Sequence, residues 1–280
     1  MAVHKTSSRP LAKFPGTLVL LGAGKMGQAM LDGWLARGLN PRKIVVLEPQ
    51  PAKALKALTR RGLKLNPKGK AAPASAIVVA VKPQSAAGAL PALAAYAGKD
   101  TLALSIMAGR TLDYLKTSLP PGTALVRAMP NTPAAIGRGI TVACPSAKVT
   151  TRQRKQASDL LAAIGSVEWV KDERLIDAVT AVSGSGPAYV FLLAEAMAKA
   201  GIAAGLPATL ASKLARETVA GSGELLHRSA LDAATLRQNV TSPGGTTAAA
   251  LEVLMGPGGF DTLLTEAIAA ATRRSRELAG

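Results

Sequence analysis

The chain has 280 residues, enough for one or two domains with a real hydrophobic core. Hydrophobic residues make up 48% and charged residues 18%, a balance that excludes global disorder. Aromatics are only 3%, so the core must be built from Ala, Val, Leu and Ile. Two histidines, His4 and His227, and one cysteine, Cys144, exclude multi-histidine zinc sites, Cys-x-x-Cys redox centres and intramolecular disulfides. The scarcity of cysteine suits a cytoplasmic protein. The formal charge of +17 favours anionic ligands and says nothing about fold.

Residues 1–16 carry basic residues and two prolines but no apolar run of signal-peptide length, and read as a flexible extension. Residues 17–21 read as a short buried strand, followed by the turn Gly22-Ala23-Gly24-Lys25-Met26-Gly27 and a helix to about Ala36. Further strands are expected at 43–47, 76–81, 102–106 and 124–127, with helices at 52–61 and 111–118. Strands alternating with helices predict right-handed βαβ units and a parallel sheet, an α/β domain over 17–172. Beyond about residue 170 the strand patterns stop. Ala- and Leu-rich segments at 187–200, 207–227, 232–239, 246–255 and 260–278 predict an all-helical domain over 173–280. Several of these helices are apolar around most of their circumference, which needs burial against more than one small domain. Their apolar runs are interrupted by Gly or charge, so no membrane span is expected.

Gly22-x-Gly24-x-x-Gly27 lies between a strand and a helix, the setting of a dinucleotide-binding turn. The first glycine permits the turn, the second lets a pyrophosphate approach the helix start, and the third lets helix and strand pack closely. A purely structural turn is the alternative. Glu48 follows Gly27 by 21 residues at the end of the second strand. A carboxylate there accepts hydrogen bonds from ribose hydroxyls and repels a 2′-phosphate, leaning towards NADH; a solvated strand-end Glu is the plain alternative. Ala80-Val81-Lys82-Pro83 and Ser105-Ile106-Met107-Ala108-Gly109 end the third and fourth strands, where such sheets bind ligands. Arg127-Ala128-Met129-Pro130-Asn131-Thr132-Pro133 is a stiff loop with an equally structural reading. Ser183-Gly184-Ser185-Gly186-Pro187-Ala188-Tyr189 opens the first helix of the second domain. Gln238 to Thr247 joins two helices and gathers Asn239, Ser242, Gly244, Gly245, Thr246 and Thr247 into ten residues. A Pro-Gly-Gly turn entering a helix offers backbone donors to a carboxylate, so Ser242, Gly244 and Gly245 are candidate substrate contacts.

These stretches, in this order, resemble the pyrroline-5-carboxylate reductase family, and the likeness runs from about residue 17 to the C-terminus. The Asn239-to-Thr247 stretch is the most specific of them. The resemblance implies a Rossmann-type dinucleotide-binding domain followed by a helical dimerisation domain that interlocks with a second subunit, with dimers associating further into a ring. It implies reduction of (S)-1-pyrroline-5-carboxylate to L-proline with NADPH or NADH. It implies substrate contacts at Glu173, Thr246 and Thr247, with the Thr247 hydroxyl at the reacting nitrogen, and a cofactor contact at Asn239. Gly22 to Gly27 and Ala80 to Pro83 match the cofactor side, and Met107, Ala108 and Gly109 border it by their position at a strand end, where a plain turn is the alternative. No metal is implied, and neither nucleic acid nor membrane is an expected partner. The N-terminal extension is extra, and two further departures stand out. The acid-x-Pro-Gly before the last motif is replaced by Ser229-Ala230-Leu231-Asp232-Ala233-Ala234, and Glu48 stands where many members carry a small polar residue and accept NADPH.

The composition suits that chemistry. A protonated cyclic imine is already electrophilic, so hydride transfer to C5 asks for positioning and electrostatics rather than histidine or metal. A β-hydroxyacid dehydrogenase would need a lysine early on the helix after Gly186, and none occurs before Lys199. A nucleic-acid binder would need stacking aromatics, which are almost absent.

Overall fold

The computed structural model describes residues 9–69 and 71–279. They divide into two compact units, one running to Gly184 and taking back the chain from Thr272, the other spanning Ser185–Ala271.

The first unit is built on an eight-stranded sheet. Its strands are β1 (Leu18–Leu21), β2 (Ile44–Leu47), β3 (Lys64–Leu65), β4 (Ala76–Val79), β5 (Leu102–Ser105), β6 (Ala124–Met129), β7 (Gly139–Pro145) and β8 (Gly165–Trp169). They lie in the order β3-β2-β1-β4-β5-β6-β7-β8. Side chains alternate across the sheet with period two, so each strand feeds two cores. Leu18 and Leu20 join Met30, Leu31, Trp34, Ile44, Val46 and Leu160 on one face. Val19 and Leu21 join Ile77, Val79, Leu93, Leu115 and Ile176 on the other. Continuous apolar strands such as Ala76–Val79 are what a sheet covered on both faces requires.

The helices of this unit are α1 (Lys25–Ala36), α2 (Lys53–Leu58), α3 (Ala86–Ala89), α4 (Leu112–Ser118), α5 (Thr151–Leu161) and α6 (Leu175–Val179). Trp34 fixes α1 against the end of α5 through its indole N–H, which donates to Leu160 O at 2.9 Å. A Cβ on Gly33 would stand 2.5 Å from Ala163 O, so glycine sets that close packing.

Three expectations are corrected. The sheet is mixed: β7 runs antiparallel to β6, because the Pro130–Pro133 turn reverses the chain directly. Neither β7, β8, α5 nor the short β3 was anticipated. Residues 9–16 are not a loose extension, since Leu11 and Phe14 are buried in the core and Lys43 Nζ donates to Phe14 O; residues 1–8 lie outside the described residues. The break between the units falls after Gly184, not before Glu173. Ile176 and Ala181 are buried in the first unit, and Ser275 Oγ donates to Asp177 Oδ1 at 2.8 Å.

The second unit is helical: α7 (Gly186–Ala203), α8 (Ala208–Arg228), α9 (Ala233–Asn239), α10 (Thr246–Leu254) and most of α11 (Phe260–Ala279), whose last turns belong to the first unit. Pro187 occupies the first turn of α7, where a missing N–H costs nothing. Among the described residues of this unit only Ala211 and Ala215 are buried. Phe191, Leu192, Leu225, Val253 and Leu263 are all more than half exposed. By length and composition alone, the helical run Leu175–Ala203 is apolar enough to cross a membrane, contrary to the expectation that none would be. It includes a π-helical turn at Thr180–Gly184, which joins α6 to α7.

Candidate active site

The glycine turn forms the floor of the site. Gly22 has a left-handed φ of 88°, and a Cβ there would come within 2.8 Å of Ala80 O and Val81 Cγ1. Glycine is therefore required both by the turn and by the neighbouring strand end. A Cβ on Gly27 would collide with Gly22 O, so helix and turn touch backbone to backbone. Gly24 faces open space and caps α1 without a side-chain bond. The first turn of α1 holds no acid. A helix start left open in this way fits a dinucleotide pyrophosphate. Lys25 and Met26 are the first residues of the helix itself.

Glu48 stands at the end of β2, and its carboxylate is fixed. Oε2 accepts from the N–H of Ala23 at 2.8 Å, and Oε1 accepts from the N–H of Gln50 at 2.9 Å. The expected acid is therefore tied directly to the glycine turn. β4 ends in Ala80, Val81, Lys82 and Pro83, and Pro83 O accepts from Arg110 Nη2 at 3.3 Å. Met107 is buried, with its N–H donating to Ser105 Oγ at 3.3 Å, while Ala108 is exposed. Gly109 leaves room for Leu278, whose backbone O would be 2.9 Å from a Cβ at that position. These groups gather at the carboxyl ends of β1, β2, β4 and β5. The strand order reverses there, between β1 and β4, and ligands of such sheets bind at that switch point.

Glu173 also belongs to the first unit. Its Oε1 accepts from Arg127 Nη1 at 2.9 Å and from the N–H of Leu112 at 2.8 Å. Arg127 is almost wholly buried and lies 3.9 Å from Asp177 as well. The motif arginine of the 127–133 loop is thus part of a buried ion cluster, which the sequence reading missed. Asn131 braces the same loop by accepting from the N–H of Ile140 at 2.9 Å.

The remaining candidates lie in the second unit. Asn239 ends α9, exposed. Thr241 Oγ1 donates back to Arg237 O at 2.7 Å, and the N–H of Gly245 donates to Ser242 O at 3.1 Å, closing a tight turn. Gly244 is left-handed at φ 67°, and a Cβ on Gly245 would strike Ser242 Oγ. Gly245 caps α10 with no side-chain acceptor, so the start of that helix presents backbone donors. Thr246 is exposed and Thr247 half-buried on its first turn.

Two family models match the two parts of the chain. One described as pyrroline-5-carboxylate reductase dimerisation covers residues 173–278, and one described as NADP oxidoreductase, coenzyme F420-dependent, covers 17–109. The pyrroline-5-carboxylate reductase of Synechocystis sp. is 40% identical over 264 residues, covering 93% of this chain and 97% of its own. That of Mycobacterium tuberculosis is 40% identical over 285 residues, covering 93% and 96%. A solved pyrroline-5-carboxylate reductase from Coxiella burnetii matches with a TM-score of 0.86 at 32% identity, covering 95% of this chain and 99% of its own. A pyrroline carboxylate reductase from Plasmodium falciparum, solved with NADP bound, matches with a TM-score of 0.79 at 28% identity over the same shares. With the glycine turn, the strand order and the helical second unit all in place, and with that identity sustained over nearly the whole length, the chain belongs to the pyrroline-5-carboxylate reductase family of oxidoreductases.

Proposed function

We propose that this chain reduces (S)-1-pyrroline-5-carboxylate to L-proline with NADH or NADPH, in the cytoplasm, as an interlocked homodimer. One observation carries the reading. The same chain joins an open glycine turn at the sheet's switch point to a Pro-Gly-Gly turn whose helix start, at α10, is equally open.

A bound nicotinamide dinucleotide supplies the hydride that reaches C5 of the imine. The chain's own groups bind and orient. The start of α1 holds the pyrophosphate, Glu48 accepts from the adenosine ribose hydroxyls, and Ala80 to Pro83 and Met107 to Gly109 flank the rest of the cofactor, with Asn239 as a further contact. Ser242, Gly244 and Gly245 form the turn on which the substrate carboxylate sits, held by backbone N–H groups of the turn and of the first residues of α10 other than the Gly245 N–H, which is tied to Ser242 O. The Thr247 hydroxyl hydrogen-bonds the ring nitrogen, fixing C5 as the nitrogen's charge changes, and Thr246 supports it. Two helix starts without side-chain caps, each suited to an anion, favour positioning as the main source of rate. Glu48 leans the cofactor choice towards NADH, since its carboxylate opposes a 2′-phosphate.

The exposed apolar helices of the second unit support self-association, because a patch of that extent is not left in water. The same demand accounts for the apolar run Leu175–Ala203 without a bilayer. A two-fold dimer, with dimers able to build a ring, covers it.

The test is NAD(P)H oxidation by purified protein in the presence of the imine. Turnover to proline supports the reading. Binding of NAD(P)H without turnover overturns it.

A further inference from the structure

Every polar atom of Glu48 is engaged. Its carboxylate meets the N–H groups of Ala23 and Gln50. Its backbone is held from the other side by one residue, Asn66. Asn66 Oδ1 accepts from the N–H of Glu48 at 2.8 Å, and Asn66 Nδ2 donates to Glu48 O, also at 2.8 Å.

The reason lies in how short β3 is. It pairs with β2 only through Val45–Lys64 and Val46–Leu65, and the N–H of Asn66 adds one more bond, to Val46 O at 2.9 Å. The chain then leaves the sheet, and the next residue, Pro67, has no N–H to give. The Asn66 carboxamide supplies the donor and acceptor that a longer strand would have offered to Glu48. Asn66 is also the one non-glycine residue with positive φ among those described, at 44°. Asparagine tolerates that conformation better than most residues, at some cost in strain. A strained backbone and a two-point clamp thus fall on a single exposed side chain with no other described bond partner.

We infer that Asn66 is a positioning residue for cofactor choice: it holds the end of β2 so that the Glu48 carboxylate stays on the glycine turn, where it selects against a 2′-phosphate. The inference rests on the proposed ribose role of Glu48. Asn66 acts through Glu48 and needs no contact with the cofactor. Released from the clamp, Glu48 can swing towards solvent, which weakens its bonds to ribose hydroxyls and relieves its opposition to a phosphate.

The test compares kcat/KM for NADH and for NADPH, at saturating imine, in the wild type, Asn66→Gly, Glu48→Ser and the double variant. Glycine accepts the left-handed backbone and removes the side chain with its carboxamide. The ratio of the two constants does not depend on the fraction of folded enzyme, so a partly unstable variant still gives an answer. The expected result is a fall in the NADH-to-NADPH ratio of about 2- to 10-fold in Asn66→Gly, the size of one or two exposed hydrogen bonds. It should act through KM, with kcat at saturating NADH unchanged, and produce no further fall when added to Glu48→Ser. If Glu48→Ser lowers the ratio and Asn66→Gly does not, the inference is overturned and the ribose role of Glu48 stands. If Asn66→Gly acts equally with and without Glu48, it works directly on the cofactor and the inference is again overturned. If Glu48→Ser leaves the ratio unchanged, the ribose role falls and the inference with it.

Discussion

Arg127 and Glu173, 46 residues apart in sequence, meet at 2.9 Å, with the arginine almost wholly buried. A buried guanidinium that loses its close partner keeps only the longer contact to Asp177 at 3.9 Å and is left under-compensated, which costs more than the pair itself contributes. Glu173→Ala should therefore destabilise the protein near the lower end of the roughly 3–5 kcal/mol typical of a broken buried pair, since about a quarter of the Glu173 side chain meets water. Glu173→Gln retains an acceptor and should lose less. Denaturant unfolding of the two variants checks this. A Glu173→Ala protein as stable as wild type but poor in substrate binding would return Glu173 to the substrate role that the family resemblance implies.

Thr247→Ala should lower kcat/KM for the imine about 10- to 150-fold, the effect of losing one charge-assisted hydrogen bond of roughly 1.5–3 kcal/mol. NAD(P)H affinity should be nearly intact, and Thr246→Ala should do less. Steady-state kinetics beside a cofactor titration separate the two effects. Equal weakening of cofactor binding would move Thr247 to the nicotinamide side.

Phe191 and Leu192 are both about three-fifths exposed on α7. Replacing Leu192 by Glu places a charge where a second copy is expected to pack. Light scattering should then show loss of the wild-type oligomer, together with loss of activity. An unchanged oligomer would put the association surface elsewhere.

Asp232 caps α9 by accepting from the N–H of Thr235 at 2.8 Å, and that bond, ahead of the Thr235 side chain, holds its carboxyl below the usual carboxylate range. A depressed folded-state pKa gives stability that is present above the ordinary carboxyl range and is lost as pH falls through the folded value. Asp232→Ala should lower Tm at neutral pH, and the difference from wild type should shrink as the solution is acidified. Asp232→Asn, which still accepts the cap bond, should show a smaller difference at neutral pH that also shrinks on acidification, because the titration lost is the wild type's in both comparisons. Calorimetry across acid pH measures both.

Burial pushes the Cys144 thiol above its ordinary value, and the nearby Glu173 carboxylate adds to the shift while Arg127 opposes it. The residue is only 1% exposed. Native protein should therefore show almost no reaction with a thiol reagent at mildly alkaline pH and one full equivalent after unfolding.

The parts of the site that were legible in the sequence are local. Gly22 to Gly27, the strand-end Glu48 and the Ser242–Thr247 turn each encode their geometry within a few residues. The helices of the second unit were legible for the same reason, through Pro187, Pro207 and their apolar runs. What escaped depends on distant partners. Nothing near Arg127 announces Glu173, and the Pro130–Pro133 loop reads as stiff without saying that it turns the chain straight back into the sheet as β7. Asn66 looks like an ordinary loop residue until β3 is seen to end before Glu48. One miss had a local signal: Thr150 and Gln153 form a capping box that opens α5, and that spacing is visible in the sequence.

The last turns of α11 belong to the unit that contains the N-terminal half of the chain, with Ser275 bonded to Asp177 and Leu278 packed against Gly109. During synthesis, then, the first unit emerges from the ribosome largely before the second but cannot complete its own contacts until the segment from Thr272 has followed. The stretch beside Met107 and Gly109 is finished only once Leu278 has emerged. A nascent chain that stops before Thr272 would carry the glycine turn and the sheet without the segment that packs on Gly109 and Asp177, and so would hold the proposed cofactor site with one wall missing.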